Sequence, residues 1–497
     1  MEIFSLDEPL LSFAENNTWT VRNAVEGVQI FGGIGSGKTS GSGYTLAKKY
    51  LQMGFGGLVL TVKSDEYRAN WCQYAETCGR LDDVIHIRPG GEYRFNFLNY
   101  ELTRSGAGAG LVDNLVNTLK TVIRAGQDTR SSNGDAFWDD ALDMLLFNVI
   151  DLCYLAYGSE FNLDQLFAVA ESLPKDIDRL KQDNSARDLN PFYQAYLKAK
   201  KATIAKVQES KRAFEAETDQ PYNQQADRNW QKFSKIMYYF SNTYADLNPK
   251  TRSIIEHSFS GLLFRLNRDP IYSLLCSPDP NITPEMCLEG KIIVFDLPVK
   301  QFDKIGRDAQ ILFKYIWQRS MERRDITHNN RPVFLWADEA QNFLHEHDID
   351  YQATARSSRI CTVYLTQNLP NYYAHMGGRE GEFRVKSFLG TMGTKIFHAN
   401  ADVDTNRYAS ELFGKAYLED RSHTSGFSDD MNMSMTKSYR LEDLVRPEQF
   451  VRLKTGGDHN KKQVEAYIHK QGIPWVSYGD NNAPQVRNYW KLNFLQP

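Results

Sequence analysis

Gly32-Gly33-Ile34-Gly35-Ser36-Gly37-Lys38-Thr39 fits the pattern GxxxxGK[ST] in full. A polyphosphate is held by several backbone N–H groups pointing inward, and glycines let the chain approach it without Cβ clashes. Lys38 would neutralise the β- and γ-phosphates and Thr39 would offer its hydroxyl to Mg²⁺. A helix beginning near Thr39 and Ser40 would present its N-terminal dipole to the anion. The candidate nucleotide-binding set is therefore Gly32 to Ser40, with Ile34 carried on the loop. Such a site needs a second, acidic element. Val333-Phe334-Leu335-Trp336-Ala337-Asp338-Glu339 is an apolar run ending in two acids. Asp338 would hold Mg²⁺ through its waters, and Glu339 would be the general base that polarises the attacking water. ATP and Mg²⁺ are the implied ligands.

Further residues bear on the same chemistry. Gln367 ends the apolar run Ile360 to Thr366, where a polar side chain can face the γ-phosphate. Arg356 precedes that run, at its opposite end. It is either an arginine finger reaching a neighbouring subunit's nucleotide or a surface ion-pair partner. Lys63-Ser64-Asp65-Glu66 follows the run Gly57 to Val62 and either tunes the site or caps a helix. His345 and His347 read as surface residues, since no third ligand lies nearby in sequence.

The elements that must position these residues alternate. Gly27–Phe31, Gly57–Val62 and Val84–Ile87 read as strands, with helices at Thr39–Met53 and Asp65–Cys78, so a mainly parallel sheet covered by helices is expected. From about Ala107 to Leu288 strand signals vanish and apolar residues recur at i, i+3, i+4. The rhythm returns with strands at Ile292–Asp296, Val333–Ala337, Ile360–Thr366 and Lys395–Ala399, and Val464–Ile468 is a further strand candidate. The expected fold class is α/β, a RecA-like P-loop NTPase whose sheet is split in sequence by an inserted all-α domain. The parts are 1–104, 105–288 and 289–497. Ser422 to Ser438 is Ser-, Met- and Asp-rich without periodicity and reads as a mobile loop.

The chain has 497 residues, 41% hydrophobic and 24% charged, with a net charge of −4. These are ordinary values for a globular protein. A strongly basic nucleic-acid coat is excluded, but a channel lined with positive charge is not. The six cysteines form no CxxC pair, so thiols in a reducing compartment fit better than zinc or disulfides. Met1–Glu8 lacks a basic n-region and is not expected to be a secretory signal. Met144–Tyr157 is too short to cross a bilayer, so no transmembrane segment is expected. The basic run from Lys198 to Arg212 is interleaved with acids and reads as a solvated helix face. Lys250, Arg252, Arg265 and Arg268 are candidates for a pore lining.

With these motifs in hand, the chain resembles the soluble motor part of type IV secretion coupling proteins, the TraG and TraD group of the FtsK/HerA class. Phe31 to Thr39 is similar to that family's Walker A, Asp338-Glu339-Ala340-Gln341 to its Walker B, and Arg356 and Gln367 to its finger and post-strand glutamine. Lys63-Ser64-Asp65-Glu66 resembles its second-strand motif, without the usual aspartate near Thr61. Arg94-Phe95-Asn96-Phe97-Leu98 resembles its Asn-Pro-Leu element, without the proline. Leu441 to Gly457 is similar to its closing segment. The resemblance implies a homo-hexamer that hydrolyses ATP to pump DNA, with relaxase or secretion-channel proteins as partners. It implies a cytoplasmic location, peripheral at the inner membrane only through those partners. A soluble HerA-like motor in mobile-element transfer or defence, a helicase with two RecA domains, and an ATP-dependent protein-recruiting scaffold are the competing readings.

Overall fold

The computed structural model of the chain describes residues 4–14, 17–104, 112–126, 136–174, 189–215, 224–376, 378–426, 432–472, 474–478 and 484–497. The chain divides into two compact units, one of Met1–Val84, Cys287–Ile293 and Arg324–Pro497, the other of Ile85–Met286 and Val294–Arg323.

The first unit is built on seven neighbouring strands: β1 (Val28–Phe31), β2 (Gly56–Leu60), β3 (Val333–Ala337), β4 (Ile360–Thr366), β5 (Thr394–Phe397), β6 (Gln463–Lys470) and β7 (Tyr489–Leu495). They lie in the order β7-β6-β5-β1-β4-β3-β2. β1 runs parallel to β4 and β5, and β3 runs parallel to β2 and β4. β6 is antiparallel to both β5 and β7. Every residue of β1 to β5 is buried. That is why these strands read as unbroken apolar runs: a parallel sheet covered on both faces has no polar side to show. β2 and β3 pair although more than 270 positions separate Gly56 from Val333, so the sheet is assembled from two distant stretches of chain.

Glycine sets how closely β2 approaches its neighbour. A Cβ on Gly57 would sit 2.5 Å from the Phe334 ring. That ring is hemmed in, stacked on Trp71 with centroids 5.6 Å apart and packed on Tyr50 at 5.9 Å.

The second unit is largely helical among its described residues, with long helices at Val112–Gly126, Ala136–Tyr157, Pro191–Glu215, Pro249–Leu266 and Val299–Glu322. Short polar residues start several helices, as their capping chemistry dictates. Asn162 and Gln165 form a reciprocal capping box, and Asn248 caps a helix that has Pro249 in its first turn. Asn96 caps Phe97–Thr103 by accepting from the Asn99 N–H (3.0 Å), and its amide donates to Ser277 O (2.9 Å). Two of the candidate pore-lining arginines are engaged inside the unit: Arg252 donates to Ala245 O, and Arg265 pairs with Asp308 at 3.1 Å. No helix among the described residues is long and apolar enough to cross a membrane.

One expectation fails. Much of Ser422–Ser438 is strand, because Lys415–Gly426 pairs antiparallel with Asn432–Asp443 in a long hairpin. Such a ribbon is paired through cross-strand backbone hydrogen bonds, which every non-proline residue can make, so composition conceals it. Residues 427–431 lie outside the described residues.

The packing at Gly57 gives a stability test. Gly57→Ala forces a methyl group into the Phe334 ring and should cost about 1–3 kcal/mol, the usual range for an overfilled core. A lower unfolding midpoint in urea would show it, and an unchanged midpoint would mean that Phe334 has room to move.

Candidate functional site

The parallel sheet brings the C-terminal ends of β1, β3, β4 and β5 side by side, and the candidate residues sit just beyond those ends. The phosphate loop leaves β1 pinned on both sides: Gly32 N–H donates to Thr366 O (3.2 Å) and Gly33 N–H to Ala399 O (2.9 Å). Gly35 and Gly37 have φ of +70° and +80°, a backbone region that favours glycine. A Cβ on Gly32 would lie 2.9 Å from the His398 Cβ. The loop runs into a π-helical turn, Thr39–Gly43, and then the helix Tyr44–Gln52. Ile34 stands exposed on the loop, whereas Ser36 and Lys38 are buried.

The two halves of the predicted site meet. Thr39 Oγ1 donates to Asp338 Oδ2 at 3.0 Å. Lys38 Nζ lies 3.5 Å from Glu339 Oε1. Glu339 is held in the left-handed region (φ +49°), and its N–H donates to Asp338 Oδ1 at 2.9 Å. A left-handed non-glycine residue is strained unless its surroundings fix it, and here they do. Gln341 Nε2 donates to Glu339 Oε2 (2.9 Å) and Gln367 Nε2 to Glu339 Oε1 (3.2 Å). Gln341 is itself oriented by Thr366, whose hydroxyl donates to its Oε1 at 2.8 Å. Burial by itself would raise the Glu339 carboxyl. The Lys38 charge and the two glutamine amides outweigh it and hold that carboxyl below its usual range. Glu339 is thus an ionised, aimed carboxylate, suited to accepting a proton from water.

The sequence left Lys63–Glu66 open between tuning the site and capping a helix, and named no role for His398 or Asn400. Lys63 Nζ lies 3.6 Å from Asp338 Oδ2, so the Lys63–Glu66 segment belongs to the site. The buried Glu66 carboxyl accepts from Val62 N–H (3.0 Å) and Lys63 N–H (3.3 Å). Burial, with the Asp338 charge behind it, pushes Glu66 up to about 8. His398 is buried beneath the loop and shares a 2.7 Å hydrogen bond with the Ser42 hydroxyl. Asn400 Nδ2 donates to Gln367 O at 2.8 Å and so fixes the residue that touches Glu339. Glu66 and Gln341 sit within motifs quoted above. His398 and Asn400 follow β5 without any local signal.

Other predicted residues lie elsewhere. Arg356 is 55% exposed before β4 and pairs with Glu26 at 3.4 Å, remote from Glu339 along that strand. His345 is buried, contrary to the surface reading, because the helix His347–Ala355 carries Asp348 beneath it. The His345 N–H of the backbone donates to Asp348 Oδ2 at 2.9 Å.

Thr39 and Asp338 are hard oxygen donors that already touch, which fits a Mg²⁺ site completed by waters and phosphate. Residues 332–455 match the family described as the TraM recognition site of TraD and TraG. This match and the motifs bear out the likeness to coupling proteins. No protein of curated function matches the chain in sequence. Among solved structures, the bacterial conjugative coupling protein TrwBΔN70 superposes with a TM-score of 0.57 at 12% identity, covering 95% of this chain and 85% of that one. The plasmid coupling protein TrwB in complex with ADP and Mg²⁺ gives a TM-score of 0.58 at 12% identity, covering 97% and 87%. At such identity the likeness establishes a common fold, the RecA-like α/β fold.

His398 yields a pH prediction. Burial, and then the Lys38 charge, push its pKa down to about 3, so the folded state holds the ring neutral while the unfolded chain protonates it below about 6.5. The unfolded state then binds more protons, and stability is lost as pH falls from about 6.5 toward 3. His398→Gln should flatten that acid-side loss relative to the unaltered protein, measured as unfolding midpoint against pH. Parallel curves would place the acid sensitivity in other groups.

Proposed function

We propose that the chain is an ATP-driven motor of the coupling-protein kind, hydrolysing Mg²⁺·ATP to move DNA or nucleoprotein. The observation that carries this reading is the convergence of Lys38, Thr39, Asp338, Glu339 and Gln367 in one cluster, in which Lys38, Asp338 and Glu339 are buried. Thr39 and Asp338 would hold the magnesium, which when bound supplies charge neutralisation at the phosphates. Lys38 would leave Glu339 for the phosphate oxygens, freeing the carboxylate to orient water. Gln367, tied both to Glu339 and through its carbonyl to Asn400, would register whether the terminal phosphate is present.

The same reading assigns the parts 1–104 and 289–497 to the motor core and 105–288 to an inserted helical domain. It places the protein in a homo-hexamer, with relaxase or secretion-channel proteins as partners and any inner-membrane association supplied by them. Arg356, exposed and distant from its own Glu339, would then serve the neighbouring subunit's nucleotide. A HerA-like motor in another pathway shares this machinery and differs only in cargo. A protein-recruiting scaffold would turn over ATP without regard to DNA.

The decisive assay is ATP hydrolysis with and without single- and double-stranded DNA across a salt series. Turnover should rise with DNA, and the effect should fade as salt competes for phosphate contacts. Lys38→Ala and Glu339→Gln should abolish it. DNA-indifferent turnover would favour the scaffold. Arg356→Ala should lower kcat by about a thousandfold, the lower end for an arginine finger. Mixing it with Lys38→Ala should restore activity, because mixed rings contain some interfaces with both residues intact. No recovery on mixing would leave Arg356 a structural partner of Glu26.

A further inference from the structure

Gln496 lies outside every motif, yet the fold delivers it to the phosphate loop. β7 runs antiparallel beside β6, and just past its end the Gln496 N–H donates to Lys462 O at 3.0 Å. The side-chain amide bridges two groups: its Oε1 accepts from Gly457 N–H at 2.7 Å, and its Nε2 donates to Ser40 Oγ at 2.6 Å. A backbone N–H can only donate, so the amide can sit only one way round. Ser40 is therefore the acceptor in this bond, and its own proton is left to seek a different acceptor.

The surroundings are built to hold this arrangement. Gly456 has φ +83°, and a Cβ there would run into the Gln496 amide. A Cβ on Gly37 would lie 2.7 Å from Val464 and 3.3 Å from Thr455 O, and one on Gly41 would lie 3.0 Å from Val464. The 455–464 segment is thus pressed onto the loop, on the side of Ser40. Lys38 and Thr39 instead face Glu339 and Asp338, where the terminal phosphate would react. A nucleotide stretched between the two would bring its α-phosphate to Ser40.

We propose that Gln496 is a positioning residue for nucleotide: by donating to Ser40 Oγ it reserves the Ser40 proton for an oxygen of the α-phosphate. This rests on the nucleotide-site reading of Gly32–Ser40 and extends it to a segment with no motif. The donor direction makes the idea specific. A glutamate at 496 keeps the shape and still accepts from Gly457. It would also accept the Ser40 proton and set a negative charge beside the phosphate.

The test is calorimetric titration of Mg²⁺·ADP into the full chain, paired with steady-state ATP hydrolysis. Gln496→Glu should weaken binding by about tenfold or more, the scale of a lost charge-assisted hydrogen bond. Gln496→Met, which removes the amide at similar size, should weaken it by roughly threefold to tenfold. Because the residue acts through Ser40, adding Gln496→Met to Ser40→Ala should cost less than about twofold more. KM should carry the change while kcat stays within about threefold, since Glu339 is untouched. Unchanged affinity in Gln496→Glu would overturn the proposal, as would a Gln496→Met loss that persists in full without the Ser40 hydroxyl. If Gln496→Met does not fold, the isosteric glutamate variant alone decides. Lys38→Ala separates the two levels: should it bind nucleotide like the unaltered protein, the site reading itself fails, whereas its loss beside intact Gln496 variants sinks only this inference.

Discussion

The contact between Lys38 and Glu339 is the point on which the rest of the first unit converges. The two residues come from strands separated by another strand, β4, and from positions 301 apart in the chain. Burying an ammonium and a carboxylate is tolerable only when they are paired and their remaining hydrogen-bonding capacity is met. Gln341 and Gln367 meet it for Glu339, and Thr366 and Asn400 fix those glutamines in turn. A displacement of β1 or β3 would part the two charges, and one of β4 would draw Gln367 away from Glu339. The site is therefore as rigid as the sheet that carries it.

The same constraint explains why the loop is glycine-rich beyond the needs of phosphate. Gly32 admits the His398 side chain, and Gly37 and Gly41 admit Val464 from β6. These glycines serve the packing of the antiparallel edge as much as the approach of a ligand. The loop is clasped between β4 and β5 beneath it and the 455–464 segment beside it, so nucleotide affinity and the placement of the last strands are physically connected.

Electrostatics divides the carboxylates of the cluster into different roles by environment alone. Glu339 is surrounded by a lysine and two amide donors and stays charged. Glu66 is deeper and faces the Asp338 charge, so it keeps its proton to higher pH. Two glutamates gathered around Asp338 can thus supply a base and a neutral hydrogen-bonding group, as pairs of acids in divergent surroundings do.

The sequence by itself determined the loop, the acid pair, the buried parallel strands and the helical stretch, because each has a local cause. A phosphate loop needs glycine at particular spacings, a covered parallel strand must be apolar throughout, and helices show their period. It could not reveal that Lys63 and Glu66 join Asp338, that His398 and Asn400 support the loop, or that Gln496 reaches Ser40. Those contacts depend on strand order, and strand order is set by pairings between residues hundreds of positions apart. The long hairpin at Lys415–Asp443 escaped for the opposite reason. Its strands find one another through cross-strand backbone hydrogen bonds, which every residue type can make, so nothing in residue type announced them. Arg356 shows the remaining limit: sequence placed it at the far end of β4 and the structure agrees, but its pairing with Glu26 is a tertiary contact that residue type did not announce.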